Sequence, residues 1–414
     1  MKSRSFIGTI LLITMLIGLS ACKKDIVDNP NNTEYETDVQ QFEAVWNGLN
    51  TAYVLWPIDT TDWDAVYQKY HPIFESMENE PDAVWASTWM ELTSTLIDHH
   101  LEIHLERPSS GYYLSPYAPL IDGGIRPGLQ EVMKRNYFHR PNPVLPNPNL
   151  VMSHLEMLNQ LSDVGRLNDV SISNDQGKLL YSGVLDGDIA YIYISSFKGF
   201  YLKDIEAFQH FKSLVADSEI KAAIIDVRDN LGGDVPNLDY LISCFIDGQM
   251  HIGYNQTKMG LGRYDLGPKV TYNIGPVFVD YEGQKRDIPI VVLTDIWSAS
   301  ASEITAIAVR HLPQGYVVGE RTFGATCALY PDFGLFYSGS FGDSKMDANR
   351  KWIGHGHYVY TPKYLFSDTD GTYYEGRGIT PDKECLFDKA AWDGGIDNQL
   401  ECAIEFAKSK IDYK

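Results

Sequence analysis

Two turns between a predicted strand and a predicted helix carry residue types suited to acyl-transfer chemistry. The first is Ser298-Ala-Ser-Ala-Ser-Glu303, which lies between an apolar strand at 288–293 and a helix that begins at Ile304. A serine in such a turn exposes its hydroxyl, and the N–H of the next residue lies at the positive end of the helix, where it can stabilise an oxyanion. A serine N-cap without a chemical role fits the same pattern.

The second turn is Asp226-Val-Arg-Asp-Asn-Leu-Gly-Gly233, which ends a buried strand at 222–227. Two adjacent glycines allow the backbone to approach a ligand closely and leave N–H groups available to it. Taken alone, the turn also fits a tight connection between a strand and a helix. Neither turn by itself therefore decides the function.

The charge balance excludes one large class of function. The 414 residues contain 34 Lys and Arg against 55 Asp and Glu, a net charge of −21. A nucleic-acid binder needs a basic face for the phosphates, so no nucleic-acid partner is expected. The apolar fraction of 44% is typical of a globular protein. The five cysteines form no CxxC pattern, and no metal or cofactor is expected.

The N-terminus has the pattern of an export signal. Lys2 and Arg4 precede an apolar run of about 14 residues, which is too short to span a bilayer but fits a signal peptide. The sequence Leu19-Ser-Ala-Cys22 resembles a bacterial lipoprotein signal. This resemblance implies that residues 1–21 are removed, that Cys22 carries lipid, and that the protein is anchored to the outer membrane of the cell envelope, facing the periplasm or the surface. A plain secretory signal with an incidental cysteine is the alternative.

The rest of the chain divides into four predicted regions. Residues 22–38 are polar and predict a flexible tether. Residues 39–105 carry apolar residues at helical spacing and predict an N-terminal helical bundle. Residues 106–185 contain many prolines and predict an irregular region packed on the core. Strands alternate with helices over 186–414, which predicts an α/β core. Cys385 and Cys402 could pair in an oxidising compartment, and no loop typical of a PDZ domain is recognisable.

Four motifs, taken together, resemble the serine peptidase family of the tail-specific (C-terminal processing) and tricorn core peptidases. They occur in the family's order: Asp226-Val-Arg-x-Asn-x-Gly-Gly233, Ser298-Ala-Ser-Ala-Ser-Glu303, Val317-Val-Gly-Glu-Arg-Thr-Phe-Gly324 and Glu375-Gly-Arg-Gly-Ile-Thr-Pro-Asp382. The resemblance implies a crotonase-like ββα peptidase core with an N-terminal helical bundle. It also implies hydrolysis of peptide or protein substrates through an acyl-enzyme.

The resemblance assigns roles to particular residues. Ser300 is the expected nucleophile, and the N–H groups of Ala301 and Gly233 are the expected oxyanion hole. Tail-specific members use a lysine base 25 residues after the nucleophile, but Ala325 stands at that position here. Tricorn-like members use a histidine that precedes the core, which makes His100 the expected general base and Glu375 the acid that orients it.

Two other readings stay open beside the peptidase. His100 and His104 have the i, i+4 spacing of zinc ligands, but the sequence His-Leu-Glu-Ile-His lacks the glutamate position of a zinc peptidase. The missing lysine, and His99 at the place of the serine that precedes the tricorn-type base, favour an inactive lipoprotein that binds peptides or glycans on the same scaffold. In that case the abundant aromatic residues would line a cleft.

Overall fold

The computed structural model describes residues 36–114, 148–175, 177–276, 283–327 and 357–411, together with short strands between 330 and 353. Residues 1–35 lie outside the described part, so the expected signal peptide and the lipid attachment at Cys22 remain expectations. Among the described helices, none is long and apolar enough to cross a membrane.

The N-terminal region packs three helices through aromatic side chains. The helices are α1 (Asp38–Ala52), α2 (Trp63–Glu75) and α3 (Asp82–Thr93), with a short 3₁₀ turn at Met77–Asn79 between the last two. Asp62 caps α2, since its side chain accepts a hydrogen bond from the N–H of Ala65. The apolar residues at helical spacing face one another: Phe74 stacks on Phe42 and contacts Trp89, each with ring centroids 4.9 Å apart.

The helical region ends before the predicted boundary at 105. Glu102–Glu106 is a strand, β1, and it pairs with β2 (Tyr113–Leu114) and with a distant strand at His357–Tyr360. The local reason is its alternation, which buries Ile103 and Leu105 and leaves their neighbours partly exposed, the period of a strand. His100 and His104 therefore do not share a helix face, so the open alternative of zinc ligands at i, i+4 on one helix has no structural basis.

The region 106–185, predicted as irregular, contains two strands of the seven-stranded sheet that organises the core. It contains α4 (Pro148–Asp163), β3 (Leu167–Asp175) and β4 (Lys178–Leu185). Strands β3 and β4 form an antiparallel hairpin whose second strand is almost fully buried. The sheet thus begins about 20 residues before the boundary predicted at 186.

The chain then alternates strands and helices, as predicted. The elements in order are β5 (Ile189–Ile194), α5 (Glu206–Ala216), β6 (Ala222–Asp226), α6 (Pro236–Ile242), β7 (Met250–Gln256), β8 (Val270–Ile274), β9 (Ile290–Thr294), α7 (Ala301–Arg310) and β10 (Gly315–Gly319). A short 3₁₀ turn, Leu202–Asp204, precedes α5.

The C-terminal part consists of short strands followed by two helices. The described elements are β11 (Tyr330–Asp332), β12 (Phe336–Ser338), β13 (Phe341–Gly342), β14 (Lys345–Met346), β15 (Trp352–Ile353), β16 (His357–Tyr360), β17 (Leu365–Asp368), β18 (Lys383–Glu384), α8 (Lys389–Asp393) and α9 (Asn398–Lys410). Cys385 and Cys402 form a disulfide that joins the end of β18 to α9. Cys244 and Cys327 are free and buried.

A seven-stranded mixed sheet organises the core. Its order is β18-β10-β9-β6-β5-β4-β3, with β5, β6, β9, β10 and β18 parallel and β3 and β4 antiparallel. Strands β5, β6 and β9 are buried along their whole length, because helices cover both faces of the parallel part. The carboxyl ends of the adjacent strands β6 and β9 lie side by side, and they lead into the glycine turn and the serine turn. The predicted mixed α/β fold with N-terminal helices is confirmed.

A buried ion network attaches α9 to the strand that carries the glycine turn. Arg228 donates to Asp226 at 2.7 and 3.0 Å and to Asp397 at 2.7 and 2.8 Å. Its side chain is 1% exposed, and the carboxylates are 0% and 7% exposed. One guanidinium thus balances two buried carboxylates with well-formed pairs of hydrogen bonds.

We predict that Arg228→Ala lowers the free energy of unfolding by about 3–5 kcal/mol, because it leaves Asp226 and Asp397 buried without a cation. Urea denaturation of the parent and the variant measures the difference. Lys389→Ala is the matched control, since Lys389 pairs with Asp393 on an exposed surface and should matter little. An equal effect of the two substitutions would contradict the role given to the buried network.

Candidate active site

The serine turn holds one residue in an unusual backbone conformation. Strand β9 ends at Thr294, α7 begins at Ala301, and Ser300 is the N-cap between them with φ 55° and ψ −116°. A positive φ is unfavourable for a residue with a side chain, so the surrounding contacts must hold Ser300 in place. Such a turn presents the side chain at the carboxyl edge of the sheet.

The three serines of the run differ in what their hydroxyls contact. Ser298 donates to the carbonyl of Val227 at 2.8 Å, and Ser302 donates to the carbonyl of Asn230 at 2.8 Å. Both are fully buried, whereas Ser300 is partly exposed. Ser298 and Ser302 thus attach the serine turn to the glycine turn, and Ser300 alone among the three is accessible.

The glycine turn lies directly against Ser300. A Cβ on Gly232 would lie 2.7 Å from the nitrogen of Ala301 and 2.8 Å from Cβ of Ser300, so only glycine fits there. Gly233 packs on the backbone of Phe197 and Lys198, with φ 142°. The N–H groups of Gly233 and Ala301 donate to no acceptor within the described residues, so both remain available to a ligand beside Ser300.

A single buried carboxylate holds the serine turn against a neighbouring loop, Thr322–Cys327. Oε2 of Glu303 accepts from the N–H of Ser300 at 3.1 Å and from the N–H of Ala325 at 2.6 Å. Its Oε1 accepts from the N–H of Gly324 at 2.8 Å and from the hydroxyl of Thr322 at 2.6 Å. Four hydrogen bonds to one fully buried carboxylate fix the positions of all four partners.

The opposite side of the Thr322–Cys327 loop contacts the N-terminal segment and Glu375. Nδ1 of His99 lies 2.8 Å from the carbonyl of Phe323, which requires a proton on Nδ1. Oε2 of Glu375 accepts from the N–H of Cys327 at 2.8 Å, and Oε1 accepts from the N–H of His99 at 3.4 Å. The loop thus contacts both the serine turn, through Glu303, and the segment that contains His99.

His100 belongs to a cluster with two acids on this side of the loop. One ligand atom each of Asp98, His100 and Glu375 lie within 4.8 Å of one another. Oδ1 of Asp98 accepts from the N–H of His100 at 2.8 Å, and Oδ2 accepts from the hydroxyl of Thr361 at 3.1 Å. His100 is partly exposed as a residue, but its Nδ1 is buried and has no hydrogen-bond partner in the described part of the chain.

Burial shifts the titration of the groups around Ser300. It lowers the pKa of His100 to about 4, so the imidazole is neutral near pH 7. It raises the pKa of Glu303 to about 7, although the four hydrogen bonds act in the opposite direction. The pKa of Glu375 lies well above its usual range because of burial and then because of the charge on Asp98.

A second buried acid supports the junction of the two turns. Asp295 accepts from the N–H of Asp229 and from the N–H of Trp297, at 3.1 and 2.9 Å. Burial, and then the charge on Asp229, raise its pKa to about 7. Asp295 thus fixes both turns at the end of β9 but is itself in an environment that disfavours its charge.

The predicted site residues gather around the Thr322–Cys327 loop. Glu303 joins the loop to Ser300, the N–H of Cys327 donates to Glu375, and His100 lies in one cluster with Glu375. Cys22 lies outside the described residues. The lysine position, Ala325, is buried and contributes only its N–H to Glu303.

Three residues at the site were not assigned a role from the sequence. Glu303 follows Ser300 by three positions, a capping-box spacing that predicts contact with the N-cap backbone but not with a separate loop. Gly232, beside the predicted Gly233, makes the close approach to Ser300. Asp98 precedes His100 by two residues, and only the fold shows that it joins the cluster.

Comparisons with known proteins agree with this arrangement. The model of peptidase family S41 matches residues 188–385, which include both turns and Glu375. A protein of Staphylococcus saprophyticus named as a CtpA-like serine protease is 28% identical over 167 residues, 40% of this chain and 28% of that protein. The tricorn protease of Thermoplasma volcanium is 24% identical over 231 residues, 55% of this chain and 18% of that protein. The matched segments therefore span less than a third of these relatives.

Solved structures share the fold over most of the chain. A crystal structure of a Parabacteroides merdae protein described as a peptidase has a TM-score of 0.62 at 23% identity and covers 91% of this chain and 100% of that one. Mature CPAF has a TM-score of 0.53 at 13% identity and covers 90% of this chain and 96% of that one. At these identities the likeness concerns the fold. The segment that matches the family S41 model, residues 188–385, is slightly less than half of the chain.

We predict that stability falls as the pH rises from about 4 to about 7, in part because Asp295 holds a proton in the folded protein that it loses on unfolding. Its pKa is about 7 folded against 3.8 as a free side chain, so the folded state binds more protons in this window. Asp295→Asn removes this titration. The free energy of unfolding of the variant should therefore fall less steeply with rising pH than that of the parent, by up to about 1.4 kcal/mol per pH unit.

Urea denaturation at pH 5, 6 and 7 measures both slopes. Asp393→Asn serves as the control, since Asp393 is an exposed partner of Lys389. Identical slopes for the parent and Asp295→Asn would show that Asp295 does not titrate as described.

Proposed function

We propose that this protein is a serine peptidase that cleaves peptide or protein substrates through an acyl-enzyme on Ser300. One observation carries the proposal: the accessible serine of a strained turn lies beside two N–H groups that have no acceptor among the described residues. The match of residues 188–385 to the family S41 model supports the same reaction class.

The proposed reaction divides into two steps of acyl transfer. Oγ of Ser300 attacks the scissile carbonyl carbon, and its proton passes to a nitrogen of His100. The oxyanion of the tetrahedral intermediate accepts hydrogen bonds from the N–H groups of Gly233 and Ala301. The C–N bond breaks, and His100 gives its proton to the leaving amine. Water, activated by His100, then hydrolyses the ester and frees Ser300.

The imidazole of His100 is in the unprotonated state that a base requires. With a pKa lowered to about 4 by burial, the imidazole is unprotonated near pH 7 and has a lone pair for the serine proton. Glu375 lies in the same cluster and is our candidate for the acid that orients the ring. Ala325 has no amine, so the lysine of tail-specific members has no counterpart at that position and the histidine is the proposed replacement.

We predict that a fluorophosphonate probe labels the purified protein at one site and that Ser300→Ala abolishes the labelling, because the probe reacts only with an activated serine. His100→Gln should slow labelling by at least about 100-fold, since a positioned base contributes about 10²–10⁴ to the rate. Gel fluorescence and mass spectrometry of the modified peptide give the extent and the position.

Ser302→Ala is the matched control, since Ser302 is a buried serine of the same run whose hydroxyl already donates to a carbonyl. It should keep the labelling. Labelling that persists in Ser300→Ala would move the nucleophile elsewhere, with Ser298 tested next. A parent that is never labelled would favour the inactive scaffold that binds peptides or glycans, which the absence of a lysine at position 325 also favours.

We also propose that the mature protein is a lipoprotein anchored through Cys22 to the outer membrane of the cell envelope. The basic N-terminus, the apolar run and the sequence Leu19-Ser-Ala-Cys22 support it. The disulfide between Cys385 and Cys402 agrees with an oxidising compartment. Metabolic labelling with a palmitate analogue should mark the parent and not Cys22→Ala. Equal labelling of the two would contradict the anchor.

A further inference from the structure

The cluster beside the Thr322–Cys327 loop consists of groups that bind divalent metals. Asp98, His100 and Glu375 each offer one ligand atom, and these atoms lie within 4.8 Å of one another. An imidazole nitrogen with two carboxylate oxygens is a ligand set of zinc sites. We propose that these three side chains bind a zinc ion and that this ion switches the enzyme off by occupying the general base. The switch rests on the proposed peptidase function, whereas the metal binding does not.

The charge of the cluster favours a divalent cation. Asp98 and Glu375 are 0% and 2% exposed. Neither forms an ion pair with a Lys or Arg in the part of the chain that the structure describes. Two buried carboxylates side by side are costly without a cation. With both carboxylates ionised on metal binding, one Zn²⁺ balances the two charges while His100 binds as a neutral ligand.

The histidine supplies an independent observation. Nδ1 of His100 is buried and has no hydrogen-bond partner among the described residues, and an unpaired buried polar atom costs free energy. His100 as a whole residue is partly exposed. A bound zinc ion would give Nδ1 of His100 the partner that it lacks among the described residues.

The carboxylates are already held by neighbouring groups. Asp98 accepts from the hydroxyl of Thr361 and Glu375 accepts from the N–H of Cys327, which is the support that metal-binding carboxylates have in known sites. Ligand atoms around a tetrahedral zinc lie about 3.3 Å apart, so the widest pair must close by up to about 1.5 Å. The side chains of the cluster must supply this movement when the ion binds.

Zinc binding stops the reaction because it occupies the lone pair of a His100 nitrogen. With zinc on one ring nitrogen, the neutral imidazole of His100 carries its proton on the other nitrogen, so neither nitrogen can accept the proton of Ser300 and the zinc-bound cluster is the inactive state. Removal of zinc by a chelator restores the neutral imidazole. Without zinc, His100 acts as the general base and Glu375 orients its ring, as proposed above.

The binding test is zinc titration of the full mature chain carrying Ser300→Ala, which cannot turn over substrate. Isothermal titration calorimetry with zinc chloride should give one ion per chain. Adding Asp98→Asn or His100→Gln should weaken the affinity at least 10-fold. His311→Gln is the matched control, since His311 also lies beside a carboxylate, 3.2 Å from Asp368, but outside the cluster. Equal affinity in all four proteins would overturn the site.

A spectroscopic measurement keeps the proposal falsifiable if a variant does not fold. X-ray absorption of the zinc-loaded protein should show one imidazole with oxygen ligands at about 2.0–2.2 Å. A shell with sulfur or with two or more imidazoles would overturn the assignment.

The switch has its own test in the parent protein. Saturating zinc should suppress fluorophosphonate labelling at least 10-fold, and EDTA should restore it. Equal labelling with and without zinc would overturn the switch. A parent that binds zinc at the cluster but is never labelled would instead overturn the proposed peptidase function and leave the metal site in place.

Discussion

The candidate site depends on the buried carboxylate of Glu303. It accepts hydrogen bonds from the N–H of Ser300 on its own turn and from Thr322, Gly324 and Ala325 on the facing loop. The same loop contacts His99 and Glu375 on its other side. One side chain therefore links the serine turn to the loop that holds the histidine segment, although these segments are about 200 residues apart in sequence.

This arrangement explains why Ser300 can remain in a positive-φ conformation. Strain in one residue persists when its neighbours over-determine its position. Glu303 fixes the N–H of Ser300, Ser298 and Ser302 fix the turn on both sides, and Gly232 leaves room for the contact. The cost of burying Glu303 is visible in its pKa of about 7, well above the usual range of a glutamate.

The sequence predicted the parts of this protein that depend on local pattern. The buried parallel strands β5, β6 and β9 are largely apolar runs and the N-terminal helices have helical spacing, so both were predicted correctly. The strand β1 was assigned to the helical bundle, since its alternation covers only five residues and its pairing with the distant β16 is not visible in the sequence. The start of the sheet at β3 was missed for the same reason, because polar edge strands have weak patterns.

The site was predictable only as separate motifs. Ser300, Gly233 and Ala301 come from turns with a recognisable composition, and His100 and Glu375 come from a resemblance. The role of Glu303 and the cluster with Asp98 depend on contacts between segments far apart in the chain, which spacing in the sequence does not encode. The absence of a lysine at position 325 could be seen in the sequence, but its consequence depends on where His100 lies.

The central claim is that His100, across the Thr322–Cys327 loop, serves as the base for Ser300. A crystal structure of the protein after reaction with a fluorophosphonate tests it most directly. The account predicts a phosphonyl group on Oγ of Ser300 and a ring nitrogen of His100 about 2.6–3.2 Å from an oxygen of the adduct, or joined to it by one water. An adduct with another residue in that place, or with His100 beyond the reach of a bridging water, would contradict it.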